Sequence, residues 1–288
     1  MIARSSLHQA SHITGRPPHR VAALKRAAQQ LFAAFGIELL QTRTLNSYIG
    51  RYAEACVELE ACFRQVVFDD LPPCSRRAAL LAELQGTGLS EAMYVLRFLH
   101  LSLPLDGDVC EFGIAQGATS ALLANEIRDS AKNLWLFDSF EGLPVPGPQD
   151  VLIDDIYKLG SMHKYAGKMA EAPGLVLERL RRIDFPRSRI NIVAGFIEHT
   201  IRTQPMPAQV CFAYVDFDLY EPIKTALRFL DGCLAQGGYV VVDDYGHFSA
   251  GAQTAVDEFV AAAAGRYALI LPPDFAGHFA VLQKLRHD

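Results

Sequence analysis

Val215-Asp-Phe-Asp-Leu-Tyr220 and Val242-Asp-Asp-Tyr-Gly-His247 decide how this chain folds, because each sets acids directly at the end of an apolar, β-branched run. The runs cover 209–216 and 238–243, and the segments after them, 221–234 and 250–263, have helical periodicity. Strand, acid and helix in repetition mark parallel strands joined by crossover helices. In an open sheet of that kind the carboxyl ends of neighbouring strands face one crevice, so acids distant in sequence can meet there on a divalent cation or a substrate.

The same alternation extends upstream and downstream. Asp108 to Gly113 and Asn133 to Asp138 read as strands around a helix at Thr119 to Asp129, and 189–194 reads as a strand after a helix at 176–183. The last two strands, 266–271 and 278–285, are joined through Pro272-Pro-Asp-Phe-Ala-Gly277 and add an antiparallel strand to the sheet. The prediction is an α/β fold: a doubly wound, mostly parallel seven-stranded sheet. Before residue 86 the pattern is helical. Leu24, Ala27, Ala28, Leu31 and Phe35 share one face, Tyr52, Cys56, Leu59 and Phe63 another, and a third helix runs from about Arg76 to Leu84. Residues 1–85 are therefore expected to form a helical N-terminal region that supplies packing, substrate or oligomer contacts, and 86–288 the main domain, opened by a helix from Ser90 to Leu99. Between the second and third strands, Gly142 to Gly174 carries four prolines beside Asp154, Asp155, Tyr157, His163 and Tyr165. A stretch of that length and composition is expected to cover a substrate.

Half of the 288 residues are apolar and the net charge is −5, with no long Lys/Arg run, so no nucleic-acid partner is expected. No signal-peptide core and no uninterrupted apolar span appears, which predicts no membrane partner and a cytoplasmic location. Cysteines at 56, 62, 74, 110, 211 and 233 lack Cys-x-x-Cys spacing and read as structural thiols. A homo-oligomer, dimer or higher, is expected.

Glu111-Phe-Gly-Ile-Ala-Gln-Gly117 joins the first strand to its helix. Glycines there allow a tight turn against a ligand, and the following helix N-terminus offers amide donors. An acid replaces the first glycine of the dinucleotide pattern, which disfavours a pyrophosphate and suits an amine-bearing ligand such as the aminocarboxypropyl arm of S-adenosylmethionine. Asp138, closing the second strand, stands where an acid accepts hydrogen bonds from ribose hydroxyls. Asp218 is expected to cap the helix near 221, and Asp244 is a candidate cap for the helix near 250.

The strings Cys110-Glu-Phe-Gly-Ile-Ala-Gln-Gly117, Phe137-Asp-Ser-Phe-Glu-Gly-Leu-Pro144, Ala194-Gly-Phe-Ile-Glu-His-Thr200, Val215 to Glu221, Gly237 to His247 and Ala255-Val-Asp-Glu-Phe259 together resemble the macrocin O-methyltransferase family over roughly residues 86 to 285. That resemblance implies a class I, Rossmann-like methyltransferase domain that uses S-adenosylmethionine and Mg2+ to methylate a hydroxylated small molecule, often in antibiotic biosynthesis. It places Glu111, Gly113, Gly117, Asp138 and Ser139 on the cofactor, and Asp216, Asp243 and Asp244 on the metal.

A hard dication bound by carboxylates can fix neighbouring substrate oxygens and lower a hydroxyl pKa. Asp216 and His247 are the catalytic candidates, with the general base left between His247 and an acid of the cluster. The acceptor stays open between a sugar or polyhydroxylated natural product and a phenol or catechol. A nucleotide-binding protein without turnover is the alternative from another class.

Overall fold

The computed structural model describes residues 42–286, so the helix expected around Leu24 to Phe35 lies outside the described residues. Seven strands form one sheet in the order β3-β2-β1-β4-β5-β7-β6. They are β1 (Asp108–Phe112), β2 (Leu134–Asp138), β3 (Ile190–Ala194), β4 (Val210–Val215), β5 (Leu234–Val242), β6 (Tyr267–Ile270) and β7 (Ala280–Lys284). The first five are mutually parallel, and β7 runs antiparallel to both β5 and β6. The expected α/β class and the closing antiparallel strand are both present.

Strands covered on both faces must be apolar throughout, and every residue of β4 is buried. Two cores result. Tyr214, Phe212 and Val241 pack on one side of the sheet, and Phe112, Phe137, Val215 and Val242 on the other. The helices are α1 (Thr42–Cys62), α2 (Arg77–Leu81), α3 (Leu89–Ser102), α4 (Ala118–Glu126), α5 (Pro173–Arg182), α6 (Ile197–Thr203), α7 (Tyr220–Cys233) and α8 (Ala250–Ala262), and of these α3 packs on β4 and β5, α7 on β4 and α8 on β6. Strand β5 starts four residues before the expected 238 because Gly237-Gly238 carries no Cβ: one at Gly238 would sit 2.6 Å from the carbonyl oxygen of Cys211 on β4. No helix among the described residues is long and apolar enough to cross a membrane.

The compact unit that carries the sheet begins at Tyr52, earlier than the division expected at residue 86. The reason is packing. Cys56, Phe63, Phe68, Leu71, Leu80 and Leu81 are buried in the same core as α3 and α4. A buried ion network reinforces the join: Arg77, fully buried, donates to both oxygens of Glu126 at 2.8 and 2.6 Å and to Glu60 at 3.0 Å, while His100 Nε2 lies 2.6 Å from Glu126. Its charges are paired on every side, which is the condition under which buried ions are tolerated.

Gly142 to Gly174 is an ordered strap. Leu143, Met162 and Tyr165 pack with Leu219 and Phe248 in a small core of their own. Buried Asp150 ties the strap to two helix starts, accepting from Tyr220 N at 2.8 Å, Ser249 Oγ at 3.2 Å and Gly147 N at 2.7 Å. A bridge between Leu152 and Ser249 completes the attachment.

Candidate active site

Strand order reverses between β1 and β4, and that switch point opens the crevice where ligands bind in such sheets. Gly113 makes the approach there achievable. Its backbone has φ +81°, and a Cβ would lie 1.8 Å from the carbonyl oxygen of Asp216, so only glycine lets the two strand ends converge. Gly117, at φ +75°, starts α4, and a Cβ there would meet Val176 at 2.9 Å.

Asp138 holds the glycine turn in place. Its Oδ2 accepts from Ile114 N at 2.9 Å and Ala115 N at 3.1 Å, and its Oδ1 from Phe140 N at 2.7 Å. Ala115 and Phe140 both have positive φ, a conformation that costs free energy unless fixed, and this carboxylate fixes both. Ser139 lines the cavity, but its hydroxyl donates to Gly142 O and accepts from Glu141 N, so it builds the turn.

Glu111 faces the same cavity at 1 % exposure, and neither its Oε2 nor the neighbouring Ser120 Oγ has a hydrogen-bond partner among the described residues. Burial pushes its pKa up to about 8. A buried carboxyl oxygen without a donor is costly, and such a group in a cleft is set up for a ligand.

Asp216, Asp218 and Asp244 present carboxylate oxygens within 4.8 Å of one another. Burial and mutual repulsion drive Asp216 well above the carboxylate range, Asp218 to about 7 and Asp244 to about 10. Asp218 and Asp244 both have left-handed backbone, at φ 61° and 57°, which turns their side chains off the strand ends. Two sequence expectations change here. Asp218 does not cap α7, because Asp150 takes that amide, and it stands in the cluster instead; likewise Ser249, not Asp244, caps α8. Asp243 stands beside the trio but is engaged elsewhere, accepting from Tyr214 Oη at 2.6 Å and from the Asp244 amide at 2.7 Å.

Tyr214 also lies 3.2 Å from Glu91 Oε1. Burial and the neighbouring Asp243 push the Glu91 carboxyl well above its ordinary value. Glu91, Tyr214, Asp150 and His278 were not singled out by sequence. None of them closes an apolar strand with an acid, and only the fold brings them together. His278 packs against His247 with ring centroids 4.5 Å apart and planes tilted by 55°. His247 Nε2 lies 3.9 Å from Asp154, and burial together with His278 lowers the His247 pKa.

The cavity they enclose is about 650 Å³. Nine carboxyl groups line it, and no lysine or arginine among the described residues does.

The macrocin-O-methyltransferase (TylF) family model matches residues 101–267, which carry β1 to β5 and the whole acid cluster. The chain belongs to that family. Among relatives of the macrocin-O-methyltransferase family, the 8-demethyl-8-(2,3-dimethoxy-alpha-L-rhamnosyl)-tetracenomycin-C 4'-O-methyltransferase of Streptomyces olivaceus is 30% identical over 142 residues, 48% of this chain and 53% of that protein. The demethyldecarbamoylnovobiocin O-methyltransferase of Streptomyces niveus is 29% identical over 144 residues, again 48% and 53%. The chain thus spans about half the length of these relatives. The structure of the O-methyltransferase NovP superposes with a TM-score of 0.60 at 21% identity, over 81% of this chain and 100% of that one. CalS11, a calicheamicin methyltransferase, gives 0.55 at 19%, over 81% and 91%. At those identities the structures establish the shared methyltransferase fold.

Proposed function

We propose that this protein transfers a methyl group from S-adenosylmethionine to a hydroxyl of a sugar or polyhydroxylated natural product, with a bound Mg2+ ion. The observation that carries this is the meeting, in one cavity, of three carboxylates within 4.8 Å with the Gly113 turn and the unpartnered Glu111. Family membership and the names of the two Streptomyces relatives support the reaction, and the rhamnosyl group in the name of the Streptomyces olivaceus enzyme supports the sugar acceptor.

The donor set fits a hard dication. Carboxylate oxygens are its preferred ligands, and the repulsion that raises the Asp216, Asp218 and Asp244 pKa values is what a cation relieves. Those three residues would hold the ion, with Asp243 adjacent. When bound, Mg2+ supplies charge that lowers an acceptor hydroxyl pKa and fixes its neighbour. S-adenosylmethionine, when bound, supplies a methyl group on a sulfonium. Glu111 would meet the amino group of its arm, Gly113 and Gly117 would leave room for the arm's approach to the backbone, and Asp138, which holds the turn, would face the ribose. His247, kept neutral by its lowered pKa, takes the proton released by the hydroxyl as the oxygen is methylated.

We place the protein in the cytoplasm, which its six free cysteines support. Exposed Tyr52, Val57 and Val66 support self-association through the end of α1 and the turn after it. The test of the function is a thermal-shift titration with S-adenosylhomocysteine, with and without Mg2+, followed by a panel of glycosides and phenols with S-adenosylmethionine. The proposal expects a rise with the cofactor product, a further rise with Mg2+, and methylated glycoside. No response to S-adenosylhomocysteine, or methylation confined to phenols, contradicts it.

A further inference from the structure

Resting on that reading, we propose that Tyr214 is a positioning residue of the metal centre: braced by Glu91, its hydroxyl fixes Asp243, and through Asp243 the backbone of Asp244, in the arrangement that offers carboxylate oxygens to the ion. Tyr214 Oη donates to Asp243 Oδ2 at 2.6 Å, and Asp243 Oδ1 accepts from the Asp244 amide at 2.7 Å. Glu91 Oε1, reaching in from α3, lies 3.2 Å from the same phenol oxygen. Tyr214 is fully buried and is not among the residues that line the cavity, so it acts on the ion only through these acids.

Strand alternation explains why the hydroxyl is needed. Tyr214 sits beside Val241 in the parallel register of β4 and β5, and both side chains pack in the core that α3 shares. Val240 and Val242 face the other core. Asp243, two residues after Val241, therefore leaves the backbone on the Tyr214 side, and Asp244 would leave on the opposite side if the strand simply continued. A left-handed backbone at Asp244, φ 57°, ends the alternation and brings its carboxylate within 4.8 Å of those of Asp216 and Asp218. That conformation is costly for a residue with a Cβ and persists where neighbours fix it. Here the fixing contact is Asp243 Oδ1 on the Asp244 amide, and Tyr214 holds the other oxygen of the same carboxylate.

A second set of contacts keeps Glu91 on the phenol. Glu91 is 5% exposed, and the backbones of Gly88 and Gly277 close on its carboxyl, where a Cβ would lie 3.8 and 3.6 Å from Oε2. Packing alone does not require the Tyr214 hydroxyl, since Phe212, two residues earlier in β4, fills the same core without one. A buried hydroxyl that serves an acid beside the ligand set belongs to the contacts that orient a metal's ligands, and loss of such a contact typically weakens metal binding by about tenfold or more. Mg2+ is exacting in this respect, because it accepts little departure from octahedral geometry.

The experiment titrates Mg2+ by calorimetry into the full chain saturated with S-adenosylhomocysteine, for the parent, Tyr214→Phe, Glu91→Leu and the double variant. Tyr214→Phe should raise the Mg2+ dissociation constant about 10- to 100-fold, while the S-adenosylhomocysteine constant stays within about twofold of the parent's. Glu91→Leu should raise the Mg2+ constant about threefold, and the double variant should bind Mg2+ no more weakly than Tyr214→Phe alone, because Glu91 acts through the phenol. A role confined to packing lowers stability and leaves the Mg2+ constant where it was. That result in Tyr214→Phe overturns the inference, as does a double variant whose losses multiply. Circular dichroism checks that each variant folds, and should Tyr214→Phe fail to fold, an unchanged Mg2+ constant in Glu91→Leu is the result that overturns it. A parent that binds no Mg2+ overturns the metal reading itself and this inference with it.

Discussion

Glu111→Gln should make the cofactor-free protein more stable, and by an amount that grows with pH. In the unfolded chain this carboxyl ionises around 4.5, whereas burial, reinforced by the charge of Asp138, keeps it protonated up to about 8 in the fold. A raised folded pKa means that its contribution to stability is full below 4.5 and is lost as pH rises through 8. At ~1.4 kcal/mol per tenfold change in proton affinity, the loss is about 1.4 kcal/mol at pH 5.5 and about 4 kcal/mol at pH 8. Glutamine stays neutral throughout, so urea unfolding of parent and variant at those two pH values should give a stability difference that widens by about 3 kcal/mol. Binding supplies the second readout. S-adenosylhomocysteine carries the ammonium that would ionise Glu111, so its binding near pH 7 should release a proton from the parent and none from the variant, which should also bind it less tightly. A difference that is equal at both pH values, or a variant that is less stable at pH 8, would refute the assignment of Glu111 as a desolvated acid awaiting a ligand.

Asp138→Ala removes the acceptor for three turn amides, and calorimetry should find S-adenosylhomocysteine binding weaker by about 1–3 kcal/mol; an unchanged dissociation constant removes Asp138 from the site. Asp150→Ala frees the strap from α7 and Ser249, with an expected loss of about 2–3 kcal/mol in denaturant titration and faster proteolysis within 142–172. Arg77→Ala leaves the Glu126 carboxylate buried without its bidentate partner and should cost about 3–5 kcal/mol; a loss under about 1 kcal/mol would mean that the network relaxes into water.

The sheet was legible because both signals that define it are local. Runs such as Val210–Val215 are apolar end to end, and acids or glycines mark the carboxyl end of every strand that faces the cleft. Spacing therefore located Glu111, Gly113, Asp138 and the two aspartate pairs. What spacing cannot provide is the direction in which each side chain leaves the backbone. Asp218 reads as a cap because it precedes a helix by two residues, yet its left-handed backbone turns it into the cluster while Asp150, 70 residues upstream, takes the Tyr220 amide. Asp243 reads as a ligand by its place at the end of β5, yet Tyr214 holds its Oδ2. Glu91 lies on a helix whose periodicity speaks only of packing, and Tyr214 sits within an apolar strand. Neither announces a polar contact until α3 and β4 are brought together. Gly86-Thr-Gly88 likewise punctuates the chain only locally, while Phe63, Phe68 and Leu81 before it share a core with the helices after it.

The most direct test of the central claim follows transfer of a labelled methyl group from S-adenosylmethionine to a neutral glycoside with adjacent hydroxyls, with Mg2+ and then with excess chelator, for the parent and for Asp216→Asn. Label should enter the glycoside with Mg2+, and should fall to background both with chelator and in the variant, while S-adenosylhomocysteine still binds the variant. Equal incorporation with chelator present, or an Asp216→Asn protein that turns over normally, would contradict the assignment of the acid cluster to a metal-held acceptor.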